Sequence, residues 1–268
     1  VGEAVIQYAV DLASACAQAH AGPCFAYDDW GRLTTAGRLA GAGSCETFWT
    51  YDYDWKGRRV AVAGQGAFAS KRYRYYYDLG DRLLTEISLA SGSEQPEHNY
   101  YYLEGEPLAQ ERLASPAALY YYHNDHLGTP QRMSQADGTV KWAARYAPFG
   151  EIGASDTDLN LAADCQAPVV DNPLRFPGQY DDARKGTGFF YYNLHRYYDP
   201  AIGRYTQVDP IPGMDPDFPG HPYAYALNNP LRYTDPTGLA VWLCKRRANI
   251  PLNWLLGVQH HWIKTDTC

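Results

Sequence analysis

The residues of this chain that could do chemistry are concentrated in its second half. His123, Asp125 and His126 form an H-x-D-H cluster of residue types that can ligate a metal ion. Among the aspartates that directly precede a proline, Asp199, Asp209 and Asp235 could supply carboxylates. Taken alone, the segment from Asp235 to Gly238 is typical of a type I turn, with Asp first, Pro second and Gly fourth. The residue types therefore leave open a metal site, a carboxylate site or simple turns.

The last residues of the chain hold a second group of this kind. Cys244, His260, His261 and Asp266 could belong to a metal or nuclease site, and a basic run occupies 245–247. Four residues without further partners are a weak signal, so a solvated or docked basic segment is favoured. The six cysteines include no C-x-x-C pair, and we expect free thiols rather than a zinc ribbon or a disulfide framework.

A short repeat indicates the elements that must position these residues. Copies begin at Tyr27, Tyr53, Tyr77 and Tyr102, spaced 26, 24 and 25 residues apart, and a degenerate fifth copy begins at Tyr122. The aspartate after the tyrosine can accept a hydrogen bond from the backbone two residues ahead, and the glycine allows a tight turn. Each copy therefore predicts a β-hairpin. Since a hairpin cannot bury its own face, neighbouring copies are expected to stack. The alternative is a set of unrelated hairpins in an ordinary β-sandwich, but such hairpins would have no reason to recur at a nearly constant spacing.

Composition agrees with a folded, turn-rich, all-β chain. The 268 residues include 24 Tyr, 24 Gly and 18 Pro, and aromatic residues reach 15 %. Disordered chains have few aromatic residues and coiled coils need heptads, so both classes are excluded. The net charge of −7 argues against a nucleic-acid-binding face over the whole protein. No apolar run approaches the ~20 residues of a membrane span. The chain begins at Val1 without a methionine, so we expect a fragment.

Three stretches lack the repeat. Residues 1–26 are poor in pattern, and the Ala-rich part at 4–21 could be a helix or a partial strand. Residues 153–171 lack aromatics and are expected to form a surface insertion with a short helix at 157–163. From Pro173 onward, closely spaced Pro, Gly and Tyr residues predict an irregular, turn-rich C-terminal plug.

A series of longer motifs in the second half resembles a known family. The motifs are HNDHLGTP at 123–130, YAPFGE at 146–151, LRFPGQY at 174–180, YYNLHRYYDP at 191–200, GRY at 203–205, YAYALNNP at 223–230 and DPTGL at 235–239. Together with the Tyr-Asp copies, they resemble YD repeats followed by the Rhs repeat-associated core of polymorphic bacterial toxins and insecticidal toxin-complex C components. The resemblance covers about 27–239 and is most specific over 120–239.

The resemblance implies an architecture of stacked antiparallel YD-repeat hairpins that form part of a hollow β-shell around a C-terminal toxin. On this basis residues 1–119 are YD-repeat shell hairpins and residues 120–239 are the Rhs repeat-associated core with a self-cleavage motif. Residues 240–268 are the truncated start of a variable toxin. Because the H-x-D-H cluster then belongs to a shell motif, we expect no metal and no cofactor.

The resemblance also implies that the chain cuts itself between Leu239 and Ala240, with Asp209 and Asp235 as the catalytic pair of an aspartyl protease. Two carboxylates held close together do not both ionise easily. One can therefore act as a general base on water while the other donates a proton to the scissile carbonyl. Three residues are expected to support this pair as structural partners or turn residues: Arg196, Arg204 and Asp199.

The first of the two cleavage motifs departs from the family pattern. The family usually has Asp-Pro-Ile-Gly at this point, whereas this sequence has Asp-Pro-Ile-Pro-Gly at 209–213, and the second motif follows 26 residues later. A short insertion around 212–220 is therefore expected. It leaves open whether the chain is an active, single-turnover autoprotease.

Three functions follow from these observations. The first is the C-terminal shell and core of an Rhs-type toxin, which encloses an effector peptide and releases it by self-cleavage. The second is a non-catalytic structural shell fragment, and the third is a cell-surface carbohydrate-binding or adhesion domain whose tyrosines stack on sugars. Expected partners are the chain's own C-terminal segment, secretion-apparatus proteins and an immunity protein, with no nucleic acid for the shell. The expected location is that of a secreted or delivered effector, through type VI or a related bacterial secretion system, and cytoplasmic before export.

Overall fold

The computed structural model describes residues 22–40, 44–89, 93–152, 170–182, 188–210, 221–239 and 242–243. Within these ranges the chain forms one large sheet and two small ones, all antiparallel. No helix in this part of the chain is long and apolar enough to cross a membrane. The stretch at 4–21, the short helix expected at 157–163, the insertion expected around 212–220 and most of the tail lie outside the described residues.

Eleven strands form one open sheet in which each strand pairs with its neighbours in the sequence. They are β1 (Pro23–Tyr27), β2 (Leu33–Leu39), β3 (Cys45–Tyr53), β4 (Arg59–Gly64), β5 (Arg72–Tyr77), β6 (Leu83–Ser88), β7 (Gln95–Leu103), β8 (Glu106–Arg112), β9 (Ala118–Asn124), β10 (Pro130–Ser134) and β11 (Val140–Ala143). The prediction of stacked antiparallel hairpins is therefore confirmed, and the all-β class with it.

The first three Tyr-Asp copies share one turn geometry. In each, one carboxylate oxygen of the aspartate accepts hydrogen bonds from the backbone N–H groups two and four residues ahead, at 2.8–3.0 Å. The other oxygen accepts the Nε–H of the arginine four residues ahead, at 2.7–2.8 Å. The three pairs are Asp28–Arg32, Asp54–Arg58 and Asp78–Arg82. The arginine of the repeat therefore closes the turn through its aspartate.

The fourth and fifth copies reach the same hairpin by other means. The fourth lacks the aspartate, and Glu104 and Gly105 both have positive φ (52° and 92°), as a two-residue primed turn requires. In the fifth, Asp125 accepts the N–H groups of Leu127 and Thr129 at 2.9 and 3.0 Å. The degenerate copy expected after Tyr122 is thus a complete hairpin between β9 and β10.

The C-terminal part forms the turn-rich plug that the sequence predicts. A four-stranded sheet contains β12 (Tyr180–Asp181), β13 (Tyr191–Asn193), β14 (Arg196–Asp199) and β15 (Arg204–Tyr205). A second hairpin contains β16 (Tyr233–Thr234) and β17 (Trp242–Leu243). A 3₁₀ turn at Ala226–Asn228 precedes this hairpin. Short strands and turns are typical of a segment with closely spaced Pro and Gly residues.

The plug covers one face of the large sheet with aromatic side chains. Alternation along β5 is an example, because Tyr75 is 3 % exposed whereas Tyr76 is 46 % exposed. The buried face of the large sheet shares a single hydrophobic core with residues of the plug: Val170, Leu174, Tyr180, Phe190, Tyr192 and Tyr197. A second cluster, which includes Phe176, Tyr198 and Tyr225, lies within the plug itself. The plug and the hairpins therefore fold against each other.

The expectation of free thiols is wrong for two cysteines. Cys24 on β1 and Cys45 on β3 form a disulfide, with Cα atoms 5.9 Å apart, although β2 lies between their strands. The two strands approach each other because Gly37 on β2 lacks a side chain, and a Cβ at this position would overlap the backbone carbonyl of Glu46. Cysteine spacing contains no sign of this approach, which depends on the local bend of the sheet.

Candidate functional site

Strands and turns of the plug bring the two predicted catalytic aspartates to one arginine. Arg196 is the first residue of β14, Asp209 follows β15, and Asp235 follows β16. Nη2 of Arg196 lies 2.9 Å from Oδ2 of Asp209 and 3.2 Å from Oδ2 of Asp235. The two Oδ2 atoms therefore lie at most 6.1 Å apart, the sum of these two distances. Arg196 is expected from the sequence as a structural partner of the acids, and the structure brings these three side chains together.

The cluster is largely removed from solvent. The side chains of Arg196 and Asp235 are 3 % and 2 % exposed, and that of Asp209 is 12 % exposed. The guanidinium of Arg196 lies over the ring of Tyr205, 3.7 Å from the ring centre. With both carboxylates ionised the trio carries a net charge of −1, and one proton makes it neutral.

Asp235 accepts hydrogen bonds from three directions. Its Oδ1 accepts the backbone N–H of Leu239 at 3.0 Å. Its Oδ2 accepts the hydroxyl of Tyr205 at 2.9 Å and the Nη2–H of Arg196. Burial, and then the charge of Asp235, hold the pKa of Tyr205 well above its usual value, so this hydroxyl remains a donor. An acceptor-only arrangement of this kind suits an ionised carboxylate.

The DPTGL turn is fixed by contacts to β13 and β14. The Nδ2–H of Asn193 donates to the carbonyl of Asp235 at 2.8 Å, and Nε of Arg196 donates to the carbonyl of Gly238. Gly238 has φ +73°, and a Cβ there would lie 2.6 Å from the carbonyl oxygen of Asn193. The glycine of the motif is therefore required both by backbone conformation and by close packing.

The expected scissile bond lies in the connection between β16 and β17. Thr234 pairs with Trp242, and Tyr233 pairs with Leu243, so the chain turns back within residues 235–241. Leu239 is half-buried and its N–H is bound to Asp235, whereas Ala240 lies outside the described residues. The residue before the expected bond is thus held directly by one of the two predicted catalytic acids.

The other candidate residues have local roles in the structure. Asp199 accepts the N–H of Ala201 at 3.0 Å, and it pairs with Arg204 in the ladder between β14 and β15. Burial raises the pKa of Asp199. This aspartate therefore forms a turn, as the Asp-Pro sequence indicates, and the contacts described for Arg204 and Asp199 are those of neighbouring strands.

The side chains of the H-x-D-H cluster contact separate parts of the large sheet and the plug. Nε2 of His123 contacts Oγ of Ser134 at 2.8 Å, and Nε2 of His126 contacts the carbonyl of Leu231 at 3.0 Å. Asp125 closes the β9–β10 turn. These three side chains therefore make separate contacts with the strands and turns around them.

Sequence reasoning missed two residues of the site. Asn193 and Tyr205 contact each other at 2.8 Å, and each also contacts Asp235. Both lie within motifs quoted above, YYNLHRYYDP and GRY, but nothing in their residue type separates them from the surrounding tyrosines and turn residues. The pairing of β13 with β14 and of β14 with β15 places them beside the DPTGL turn.

Comparisons with known proteins agree with this architecture. A family model described as "RHS protein" matches residues 119–156. The chain is 31 % identical over 234 residues, 81 % of its length, to double-stranded DNA deaminase toxin A of Burkholderia cenocepacia. It is 39 % identical over 141 residues, 52 % of its length, to toxin protein Tse5 of Pseudomonas aeruginosa. The matched regions are only 15 % and 9 % of these two relatives, so the chain spans a small part of their length.

A solved structure shows the same fold. The crystal structure of TcdB2-TccC3-TEV aligns with a TM-score of 0.59 at 22 % identity, covering 81 % of this chain and 10 % of that one. The fold and the repeats define the class as a YD-repeat β-sheet protein with a turn-rich plug. The chain belongs to the Rhs family of polymorphic toxins.

Proposed function

We propose that this chain is the C-terminal part of a toxin shell and that it cuts its own backbone after Leu239, releasing the segment that follows. One observation carries the proposal: Asp209 and Asp235 meet at a single nitrogen of Arg196, and Asp235 also binds the N–H of Leu239. Family membership supports a role as part of a toxin, because the two relatives reported above are toxins.

The chemistry needs one proton shared by the two acids. The ionised carboxylate takes a proton from water, whose oxygen forms a bond to the carbonyl carbon of Leu239. The protonated carboxylate donates its proton to the carbonyl oxygen, giving a neutral tetrahedral intermediate. The C–N bond then breaks as the nitrogen of Ala240 takes the proton that the first acid accepted from water, and one hydroxyl of the intermediate returns a proton to the second acid, leaving a carboxyl group on Leu239 and a free amine. Each chain is cut once, so no turnover is expected.

Arg196 acts here as a positioning residue. Its Nη2 holds both acids, its Nε holds the carbonyl of Gly238, and its guanidinium rests on Tyr205. One side chain thus fixes the acids relative to the turn that carries the bond. A lysine cannot make these contacts together, because it offers one compact ammonium group instead of a planar fork.

Intact mass spectrometry of the 268-residue chain over several days tests the proposal. We expect a break between Leu239 and Ala240 in the parent chain and none in Asp235→Asn or Asp209→Asn. Asp137→Asn is the matched control, because Asp137 also accepts a turn N–H, that of Thr139, but lies on an exposed hairpin away from the site. This control should be cut at the parent rate.

Two results would count against self-cleavage. The first is a parent chain that stays intact while circular dichroism shows a folded β-protein, and it would leave the purely structural shell role. The second is a break that persists at the same rate in both aspartate variants, which would point to a contaminating protease.

The shell role predicts that the released segment stays bound at first. Residues 242–243 pair with β16, so the cut leaves this ladder intact. Size-exclusion chromatography should therefore recover both pieces together under native conditions and separate them in urea. We further propose that the intact protein is delivered from the cell with this segment enclosed, and that delivery proteins and an immunity protein are its partners.

A further inference from the structure

A second group of polar side chains lies on the large sheet, away from the aspartate site. Glu86 on β6 and Glu97 and His98 on β7 each offer one potential ligand atom, and these atoms lie within 4.8 Å of one another. Glu86 is fully buried and His98 is 5 % exposed, whereas Glu97 is half-buried. Two carboxylates and an imidazole are thus gathered at the covered face of the sheet.

A β-bulge brings the three side chains together. Glu86 pairs with His98 and Ile87 pairs with Pro96, so Glu97 is an extra residue on β7. In a regular strand, Glu97 and His98 would point to opposite faces, but a bulge re-aims a side chain locally. The bulged strand can therefore turn two consecutive ligands toward Glu86.

An equivalent bulge on β3 shows that this sheet orients side chains in this way. Ala36 pairs with Trp49 and Gly37 pairs with Thr47, which leaves Phe48 as the extra residue. The consecutive Phe48 and Trp49 rings both pack on the same ring of Phe68, with centres 5.4 and 4.8 Å apart from it. At β3 the two bulge positions hold aromatic residues, and at β7 they hold metal-ligating residues.

We propose that Glu86, Glu97 and His98 bind a Zn²⁺ ion that joins β6 to β7. Imidazole and carboxylate are both good zinc ligands, and with a neutral imidazole the two carboxylates would bring a charge of −2 that the ion neutralises. Nδ1 of His98 lies 3.9 Å from Oε2 of Glu86. Ligands of a tetrahedral zinc ion lie about 3.4 Å apart, so small rotations of the side chains complete the site.

Tyr100 orients one of these ligands. Its hydroxyl donates to Oε2 of Glu86 at 3.1 Å, and its ring lies beside that of His98. Metal-ligating carboxylates are commonly held by such a hydrogen bond. This site departs from the expectation that the chain binds no metal.

Zinc titration of the EDTA-treated 268-residue chain, in competition with a chromophoric chelator, tests the site. Other cysteines and histidines of the chain could bind Zn²⁺, so the difference between variants is decisive. We expect Glu97→Gln and His98→Gln to lose one equivalent of bound Zn²⁺, or to bind it at least ~10-fold more weakly. Glu104→Gln, on the β7–β8 turn, is the matched control and should bind like the parent chain. Zn²⁺ should also raise the Tm of the parent chain more than that of His98→Gln.

Two further measurements keep the test independent of folding defects. Tyr100→Phe removes only a hydroxyl and should weaken Zn²⁺ binding ~10-fold while the circular dichroism spectrum stays unchanged. Co²⁺ in a low-coordinate site absorbs visible light, and this absorption should be lost in Glu97→Gln, whose side chain is half-buried and nearly isosteric. Equal stoichiometry and affinity for Zn²⁺ in the parent chain, Glu97→Gln and His98→Gln would overturn the proposal.

Discussion

Arg59 is the side chain whose loss should most weaken the attachment of the plug to the large sheet. It is fully buried, and its Nη1 forms an ion pair with the buried carboxylate of Asp182. Nη1 also donates to the hydroxyl of Tyr197 at 3.2 Å, and the backbone N–H of Arg59 donates to the hydroxyl of Tyr192 at 2.6 Å. Five tyrosine rings surround the guanidinium at 4.3–5.9 Å: Tyr51, Tyr75, Tyr180, Tyr192 and Tyr197.

Replacing Arg59 with methionine keeps much of the side-chain volume but removes the charge opposite Asp182. Breaking a buried ion pair on one side costs about 3–5 kcal/mol, because the remaining charge loses its partner in a poorly solvated place. A domain of this kind is stable by about 5–15 kcal/mol, so the loss is a large share of the total. With a urea m-value of about 2 kcal/mol/M, the unfolding midpoint should fall by roughly 1.5–2.5 M.

Urea unfolding followed by tryptophan fluorescence measures this change. Arg74→Met is the matched control, because the Arg74–Glu94 ion pair is about half exposed on both sides and should contribute less than ~1 kcal/mol. In a double-mutant cycle, Arg59→Met with Asp182→Asn should lose clearly less than the sum of the single changes. A cost below about 1 kcal/mol for Arg59→Met, or strict additivity in the cycle, would refute this account of the ion pair.

Three further predictions concern pH, the DPTGL turn and the disulfide. Burial raises the pKa of Tyr192 to about 12, partly offset by its arginine neighbour. The unfolded chain therefore loses this proton first, so Tyr192 alone should lower the free energy of unfolding by up to ~1.4 kcal/mol per pH unit between pH ~10 and about 12; equal urea midpoints at pH 8 and 11 would contradict this. Gly238→Ala should abolish the break after residue 239 and cost about 2 kcal/mol more than Gly31→Ala, which has a similar φ but open space around it, as judged by urea unfolding and intact mass. Replacing both Cys24 and Cys45 with serine should cost up to ~3 kcal/mol for a separation of 21 residues, and a reducing agent should lower the Tm of the parent chain but not of this variant.

Much of the fold could be predicted from the sequence because the information is local. Each Tyr-Asp copy contains its own turn residues, and a hairpin between consecutive strands needs no distant partner. The constant spacing then sets the order of the strands. The role of the repeat arginine was missed, because only the turn geometry brings its Nε back to the aspartate four residues earlier.

The parts that escaped prediction depend on contacts between distant segments. The Cys24–Cys45 disulfide requires β1 and β3 to approach over Gly37, and the pairing of Asn193 with Asp235 joins positions 42 residues apart. Periodicity and turn signals describe neighbours along the chain, so they contain little information on such contacts. Asp209 and Asp235 were found through motifs, whereas their meeting at Arg196 required the folded plug.

The candidate cleavage turn has the architecture of a YD turn with one part exchanged. In the turn at Asp28, Oδ1 accepts the N–H of the residue four positions ahead, and Oδ2 binds the side chain of that same residue, Arg32. In the turn at Asp235, Oδ1 again accepts the N–H four positions ahead, but this residue is Leu239, and the arginine on Oδ2 is Arg196 from β14.

This exchange frees the fourth position of the turn. In a repeat turn the arginine itself occupies that position; it binds the aspartate of its own turn, and in the second copy Arg58 also reaches Asp81 at 2.9 Å. In the turn at Asp235 the arginine comes from β14, and its Nη2 also reaches Asp209. The fourth position of this turn is therefore Leu239, the residue before the proposed cut. The turn found in the first three copies thus needs only an arginine from another strand and a second acid to match the arrangement for which we propose acid–base chemistry.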